Sequence, residues 1–230
     1  METFGKITLH LGDCMDVLRG LPDNAFDLAI VDPPYFSGPE RRQFYGKRVS
    51  STGVRRLYAR SEKWEVPRAQ YFDELRRVAH HYIVWGRNYY DYVFDHGRIV
   101  WDKCNGASSF SDCEIAATNI FNSVRLFPFM WNGMLRGKDM MNGRIMQGNK
   151  ALNEKRIHPT QKPVALYAWL ISKYAKQGDK ILDTHLGSGS SAIAAHELGF
   201  GFLGIEINEG YYNAAKQRLV EHQKQLRLFT

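Results

Sequence analysis

The sequence has little of what would mark a secreted, membrane-spanning or metal-held chain. Only three of its 230 residues are cysteines, Cys14, Cys104 and Cys113. An odd count without metal-ligand spacing argues against a disulfide framework and points to a reducing cytoplasm. No apolar run approaches the eighteen residues that a transmembrane helix needs, so no membrane partner is expected. The opening METFGKITLHLGD lacks a basic stretch followed by an apolar one, and a signal peptide is not expected. Internal repeats and low-complexity tracts are missing too, which excludes fibres and arrays. Among eight histidines the pair His80-His81 stands out. It has no cysteine or carboxylate spacing around it, so a helix-end capping or surface role is expected and no metal.

What remains is an ordinary globular composition, 44% hydrophobic and 24% charged. At this length it can enclose one core, and a single domain over residues 1–230 is expected. The charge is less ordinary. Lys and Arg exceed Asp and Glu by seven, which favours a polyanionic partner without establishing one. Seven basic residues lie between Phe36 and Arg60, namely Arg41, Arg42, Lys47, Arg48, Arg55, Arg56 and Arg60. Glu40 alone opposes them, so this stretch carries a net +6. It also holds Phe36, Phe44, Tyr45 and Tyr58 and follows no helical or strand period. Long structureless loops in compact domains are usually functional. Arginines interleaved with aromatics suit phosphate contact and base stacking, although a plain solvated loop is the alternative. A second basic stretch, Arg136 to Arg156, is rich in Gly and Asn and reads as a loop as well.

Hydrophobic patterning places strands at 6–10, 26–31, 82–85, 98–101, 114–117, 123–127, 180–182 and 201–205. Helices are expected at 15–19, 67–80, 164–175, 190–198 and 209–223. Strand–helix alternation in the last quarter implies βαβ units and a parallel sheet covered on both faces. Residues 102–157 are the irregular middle and the candidate insertion.

Two segments carry chemistry. Ile181 to Ala192 (ILDTHLGSGSSA) runs from a strand through a Gly-rich turn into a helix, and Glu206 ends the next strand. Glycines let backbone approach a ligand, the helix start offers free N–H groups, and a carboxylate can accept from a ribose diol. This is a nucleoside-binding pattern. Gly187-x-Gly189-x-x-Ala192 with Glu206 also fits a dinucleotide fingerprint, but the 41 residues after Gly189 leave no room for the second half of such a fold. A ligand-free tight turn is the other alternative.

The more specific segment is Asp32-Pro33-Pro34-Tyr35, which ends the apolar run FDLAIV. Such a tetrapeptide arises by chance in roughly one chain per thousand of this length. Prolines cannot donate to a sheet ladder, so they stop the strand and aim the Pro33 carbonyl. By its resemblance to the amino-methylating DNA enzymes, the tetrapeptide is expected to accept both hydrogens of an exocyclic amine on the Asp32 carboxylate and the Pro33 carbonyl, which localises the nitrogen lone pair. By the same resemblance, Tyr35 is expected to stack an extruded base.

At these residues the sequence resembles the S-adenosylmethionine-dependent DNA amino-methyltransferases. The resemblance extends to Leu11-Gly12-Asp13-Cys14, His158-Pro159-Thr160-Gln161-Lys162-Pro163 and the Asp183–Ser191 turn. It implies Asp32, Pro33, Pro34 and Tyr35 as catalytic residues. It implies S-adenosylmethionine as cofactor, held at Asp13, Cys14 and Asp32, at His158 and Lys162 near its methionine end, and at Glu206 on its ribose. The loop would add Asp183, His185, Gly187, Ser188, Gly189 and Ser190. Thr184-His185 departs from the family's usual Pro-Phe. The tetrapeptide precedes the cofactor loop, a circularly permuted order that resembles the β group and implies double-stranded DNA as substrate.

The implied fold is α/β and Rossmann-like, with a mostly parallel seven-stranded sheet containing one antiparallel strand. The implied reaction is methylation of adenine N6 in a flipped-out base of a specific site. Cytosine N4 methylation and a catalytically silent DNA-binding relative are the alternatives. A basic DNA-contacting loop at 36–66 and a target-recognition insertion at 102–157 are expected. So is a homodimer, and a restriction-modification context fits.

Overall fold

The computed structural model describes residues 1–35, 64–104, 111–132, 135–136, 157 and 160–226. Nearly every apolar run expected to pair does so. The chain forms β1 (Glu2–Phe4), β2 (Ile7–Leu11), α1 (Cys14–Gly20), β3 (Phe26–Val31), α2 (Ala69–Val78), β4 (Ala79–Trp85), β5 (Gly97–Asp102), β6 (Cys113–Thr118) and β7 (Val124–Pro128). A two-stranded hairpin follows, β8 (Trp131–Asn132) and β9 (Leu135–Arg136), and then α3 (Val164–Tyr174), β10 (Lys180–Asp183), α4 (Ser190–Glu197), β11 (Gly201–Glu206) and α5 (Glu209–Leu226).

Among the described residues nine strands make one sheet in the order β1-β2-β11-β10-β3-β4-β6-β5-β7. The seven strands from β2 to β5 match the expected sheet, with β6 as its antiparallel member against both β4 and β5. The count exceeds seven because β1 and β7 extend the two edges. The first pairs antiparallel with β2 and the second parallel with β5. Three residues are too few to show a period, which hides β1 in the sequence. Residues 113–128, inside the expected insertion, are thus built into the main sheet.

Both faces are covered, as runs buried on two sides require. Alternate residues of β3 feed different cores. Leu28 and Ile30 pack with Leu166, Leu170 and Leu219 of α3 and α5, and Ala29 and Val31 pack with Leu18, Phe72 and Leu75 of α1 and α2. The expected helix 67–80 is shorter. Arg68 caps α2, Pro67 stands outside it, and Ala79 already pairs with Phe26 of β3, so His80-His81 lies on β4. No linker separates the helix from the strand, and apolar patterning alone cannot find such a boundary.

The connections place the site. From β3 the chain crosses to β4 on one side, and from β10 it crosses to β11 on the other. The order therefore reverses between β3 and β10, which pair in parallel. Open α/β sheets bind ligands outside the carboxyl ends of their strands at such a point. Among the described residues, no helix is long and apolar enough to cross a membrane.

Candidate active site

The carboxyl ends of β2, β3, β10 and β11 open into one cavity of about 980 Å³. Asp13, Cys14, Asp32, Pro33, Pro34, Tyr35, Lys162, His185, Gly187, Ser188 and Glu206 all line it. Asp183, Gly189 and Ser190 do not. They are buried behind the wall and hold it in shape.

Each wall follows from local chemistry. Asp13 caps α1, its Oδ1 accepting from the Met15 N–H at 2.8 Å. The Cys14 thiol follows it, pushed up to about 12 by burial, so it is no nucleophile. In the Gly-rich loop Gly187 and Gly189 take left-handed φ of 51° and 72°. A side chain at Gly189 would also stand 3.1 Å from Cβ of Ala215. Asp183 fastens the loop from below. Its Oδ1 accepts from the His185 N–H at 3.0 Å and its Oδ2 from the Ser191 hydroxyl at 2.5 Å. Arg218 of α5 fastens it from the side, donating to the Ser188 carbonyl at 2.8 Å.

Glu206 is buried at the end of β11. The Gly187 N–H donates to its Oε2 at 2.8 Å and the Asn208 N–H to its Oε1 at 2.9 Å. Each oxygen accepts one bond, and a carboxylate has roughly four acceptor sites, so capacity remains for a ribose diol. The loop, the acid and the size of the cavity fit a nucleoside-bearing cofactor.

Across the cavity, Asp32 is bound into a row of alternating charges. The Lys162 ammonium, 3% exposed, is paired with Asp32 Oδ2 and lies 2.9 Å from Glu114 Oε2. Glu114 Oε1 in turn meets Lys103 at 2.6 Å. Burial alone would raise the Glu114 carboxyl, but Lys162 and Lys103 outweigh it and hold it down at about 2. Burial would lower the Lys162 amine, and Asp32 and Glu114 together lift it above its ordinary range. For Asp32 burial wins over the Lys162 charge, and Glu114 adds to it, so that carboxyl stands above the ordinary range. Asp32 Oδ1 is buried and has no hydrogen-bond partner among the described residues.

The tetrapeptide is held from a second direction. Tyr90 is buried and donates from its hydroxyl to the Pro33 carbonyl at 2.6 Å. The Tyr35 ring stacks on Tyr89 with centroids 4.6 Å apart and planes 9° from parallel. Gly86, at a left-handed φ of 75°, makes room for it, since a Cβ there would lie 2.6 Å from the ring.

The structure thus brings the tetrapeptide, Asp13, Cys14, Lys162, His185, Gly187, Ser188 and Glu206 together. It places the Lys162 amine on Asp32. His158 lies outside the described residues, and so do Arg41, Arg42, Lys47, Arg48, Arg55, Arg56 and most of the two basic stretches. Sequence reasoning missed Tyr71, Tyr90, Glu114 and Arg218. None belongs to a short motif. Among the described residues no group of three or more His, Cys, Asp or Glu could hold a metal ion.

With this geometry in hand, known proteins give a consistent comparison. Residues 130–217 match the family model described as DNA methylase. Type II methyltransferase M.HpaI of Haemophilus parainfluenzae is 29% identical over 245 aligned residues, covering 92% of this chain and 73% of the relative. The crystal structure of the M1.HpyAVI-SAM complex has a TM-score of 0.54 at 20% identity, covering 92% of this chain and 99% of that one. PvuII DNA methyltransferase, cytosine-N4-specific, has a TM-score of 0.53 at 12% identity, covering 97% and 96%. The two structures share the fold, which is Rossmann-like. Together these similarities support an S-adenosylmethionine-dependent DNA amino-methyltransferase, within a group that has adenine-N6 and cytosine-N4 members.

Proposed function

We propose that the protein methylates N6 of an adenine extruded from double-stranded DNA, using S-adenosylmethionine. The observation that carries this reading is the divided carboxylate of Asp32. Its Oδ2 is committed to Lys162, while Oδ1 is buried, without a hydrogen-bond partner among the described residues, and next in sequence to the Pro33 carbonyl.

When bound, the cofactor supplies an electrophilic methyl group on its sulfonium. Glu206 and the Gly187-Ser188 backbone would hold the nucleoside end. Asp32 Oδ1 and the Pro33 carbonyl accept the two amine hydrogens, which localises the nitrogen lone pair for attack. Tyr35 gives the base a ring to stack on. Asp32 Oδ1 can also take the proton that the methylated amine must shed. The basic segment 36–66 and the segment 102–157 supply phosphate and base contacts, with Arg41, Arg42, Lys47, Arg48, Arg55 and Arg56 on the backbone. Adenine is favoured over cytosine by Asp as the first residue of the tetrapeptide, where the family's N4 enzymes more often carry Ser.

The test is a nucleoside digest of duplex DNA after incubation with methyl-labelled cofactor. Label in N6-methyladenine is expected. Label in N4-methylcytosine alone overturns the choice of base, and DNA binding without label overturns the enzymatic reading.

A further inference from the structure

Where the resemblance expects Pro-Phe, this chain carries Thr184-His185, and the structure shows which side chain meets them. Tyr71 of α2 places its hydroxyl 2.6 Å from Thr184 Oγ1, and Thr184 Oγ1 lies 2.9 Å from His185 Nδ1. The Tyr71 and His185 rings meet edge to face at 5.3 Å. These three polar groups can be assigned by counting protons. Tyr71 is buried, and among the described residues its hydroxyl is within hydrogen-bond distance of Thr184 Oγ1 and, at 3.5 Å, His185 Nδ1. Its proton needs an acceptor, so it goes to Thr184, whose own proton then goes to Nδ1. A proton on Nδ1 would leave one buried proton without an acceptor among the described residues: that of Tyr71 if Thr184 donates to it, or that of Thr184 if its oxygen accepts from both neighbours. Nδ1 is therefore an acceptor, and a neutral ring carries its proton on Nε2. The ring is neutral because burial pushes it down to about 4, against the pull of Asp13.

His185 lines the cofactor cavity, and Nε2 has no protein hydrogen bond among the described residues. We propose that Tyr71 and Thr184 lock His185 as the Nε2–H tautomer and that this N–H donates to an acceptor atom of the bound cofactor, a directed polar contact where relatives use an apolar ring. The inference rests on S-adenosylmethionine being the cofactor. Tyr71 and Thr184 are positioning residues and His185 is the cofactor contact.

The test has two parts on the full chain. Nitrogen-15 histidine spectra of the wild type identify the His185 tautomer directly. An Nε2–H pattern is expected, and an Nδ1–H pattern overturns the lock. Calorimetric titration with S-adenosylhomocysteine, a stable analogue, then compares wild type with His185→Phe, His185→Gln and Tyr71→Phe. His185→Phe should bind about three- to tenfold more weakly, the range for one hydrogen bond. His185→Gln, which keeps an N–H donor, should recover part of the loss, and Tyr71→Phe should weaken binding while populating the second tautomer. Wild-type binding that His185→Phe leaves unchanged overturns the contact and spares the cofactor reading. No binding by the wild type overturns both. A parallel titration with methylthioadenosine locates the acceptor. A loss shared by both ligands places it on the adenosine, and a loss with S-adenosylhomocysteine alone places it on the amino-acid portion.

Discussion

The Tyr90 hydroxyl donates to the Pro33 carbonyl across a buried 2.6 Å contact, so the backbone oxygen proposed to accept from the target amine is fixed by a side chain from beyond β4. A carbonyl has two lone pairs, and this bond occupies one and leaves the other for substrate. Tyr90→Phe should lower kcat for methyl transfer about tenfold, with DNA affinity little changed, because the acceptor is less well aimed. Single-turnover rates beside binding measurements check this. An unchanged rate would remove Tyr90 from the reaction.

Asp32 should set the acid limb of activity. Burial holds its carboxyl above the ordinary range, and it must be ionised to accept the amine hydrogens. Turnover should therefore fall as pH drops through a value above about 4, the usual carboxylate point. Glu114→Gln removes a nearby negative charge and leaves Lys162 to Asp32 alone, so the limb should move to lower pH. Asp32→Ala should abolish turnover and keep most DNA binding. A rate that is flat from pH 4 to 8 would contradict the assignment.

Removing Lys162 should be expensive. Lys162→Met leaves Asp32 and Glu114 facing each other in a buried site with only Lys103 to offset them. Breaking such a pair typically costs about 3–5 kcal/mol. Denaturant unfolding at neutral pH should show a loss of that size. Part of it should return at lower pH, where the raised Asp32 carboxyl takes up a proton. A loss below about 1 kcal/mol would mean that the row of charges is solvated and weak.

The basic segment offers a test independent of the cavity. Arg41, Arg42, Arg55 and Arg56 replaced together by Ala should weaken DNA binding and reduce the slope of log affinity against log salt by about 3–4, since each phosphate contact contributes about 0.9. An unaltered slope would make this stretch a solvated surface.

Much of this arrangement can be read in the sequence, for physical reasons. FDLAIV followed by two prolines can hardly be anything except a buried strand with an abrupt end, and GFLGIE announces the acid that closes β11. Local rules suffice where one residue's neighbours in space are also its neighbours in sequence. They fail at Glu114 and Tyr90, which reach the site from β6 and from the turn after β4. Neither carries a motif, and only the pairing of β4 with β3 and β6 brings them near Asp32. Lys162 was legible as part of the site, but no spacing could reveal that its amine turns onto Asp32. The end of α2 misled because Ala79 follows the helical apolar stripe and is also the first paired residue of β4.

The reversal point between β3 and β10 has a consequence for how such a site can be built. Asp32 follows the last residue of β3 and Asp183 is the last residue of β10, so the two are neighbours through the parallel pairing of those strands, not through the local run of the chain. The two halves of the proposed site are mated through the sheet, so the order in which they are threaded is immaterial to the chemistry. A chain opened elsewhere and rejoined at its ends would present the same acceptors to the same cavity, and a permuted order of segments is the freedom that this architecture leaves to a sequence.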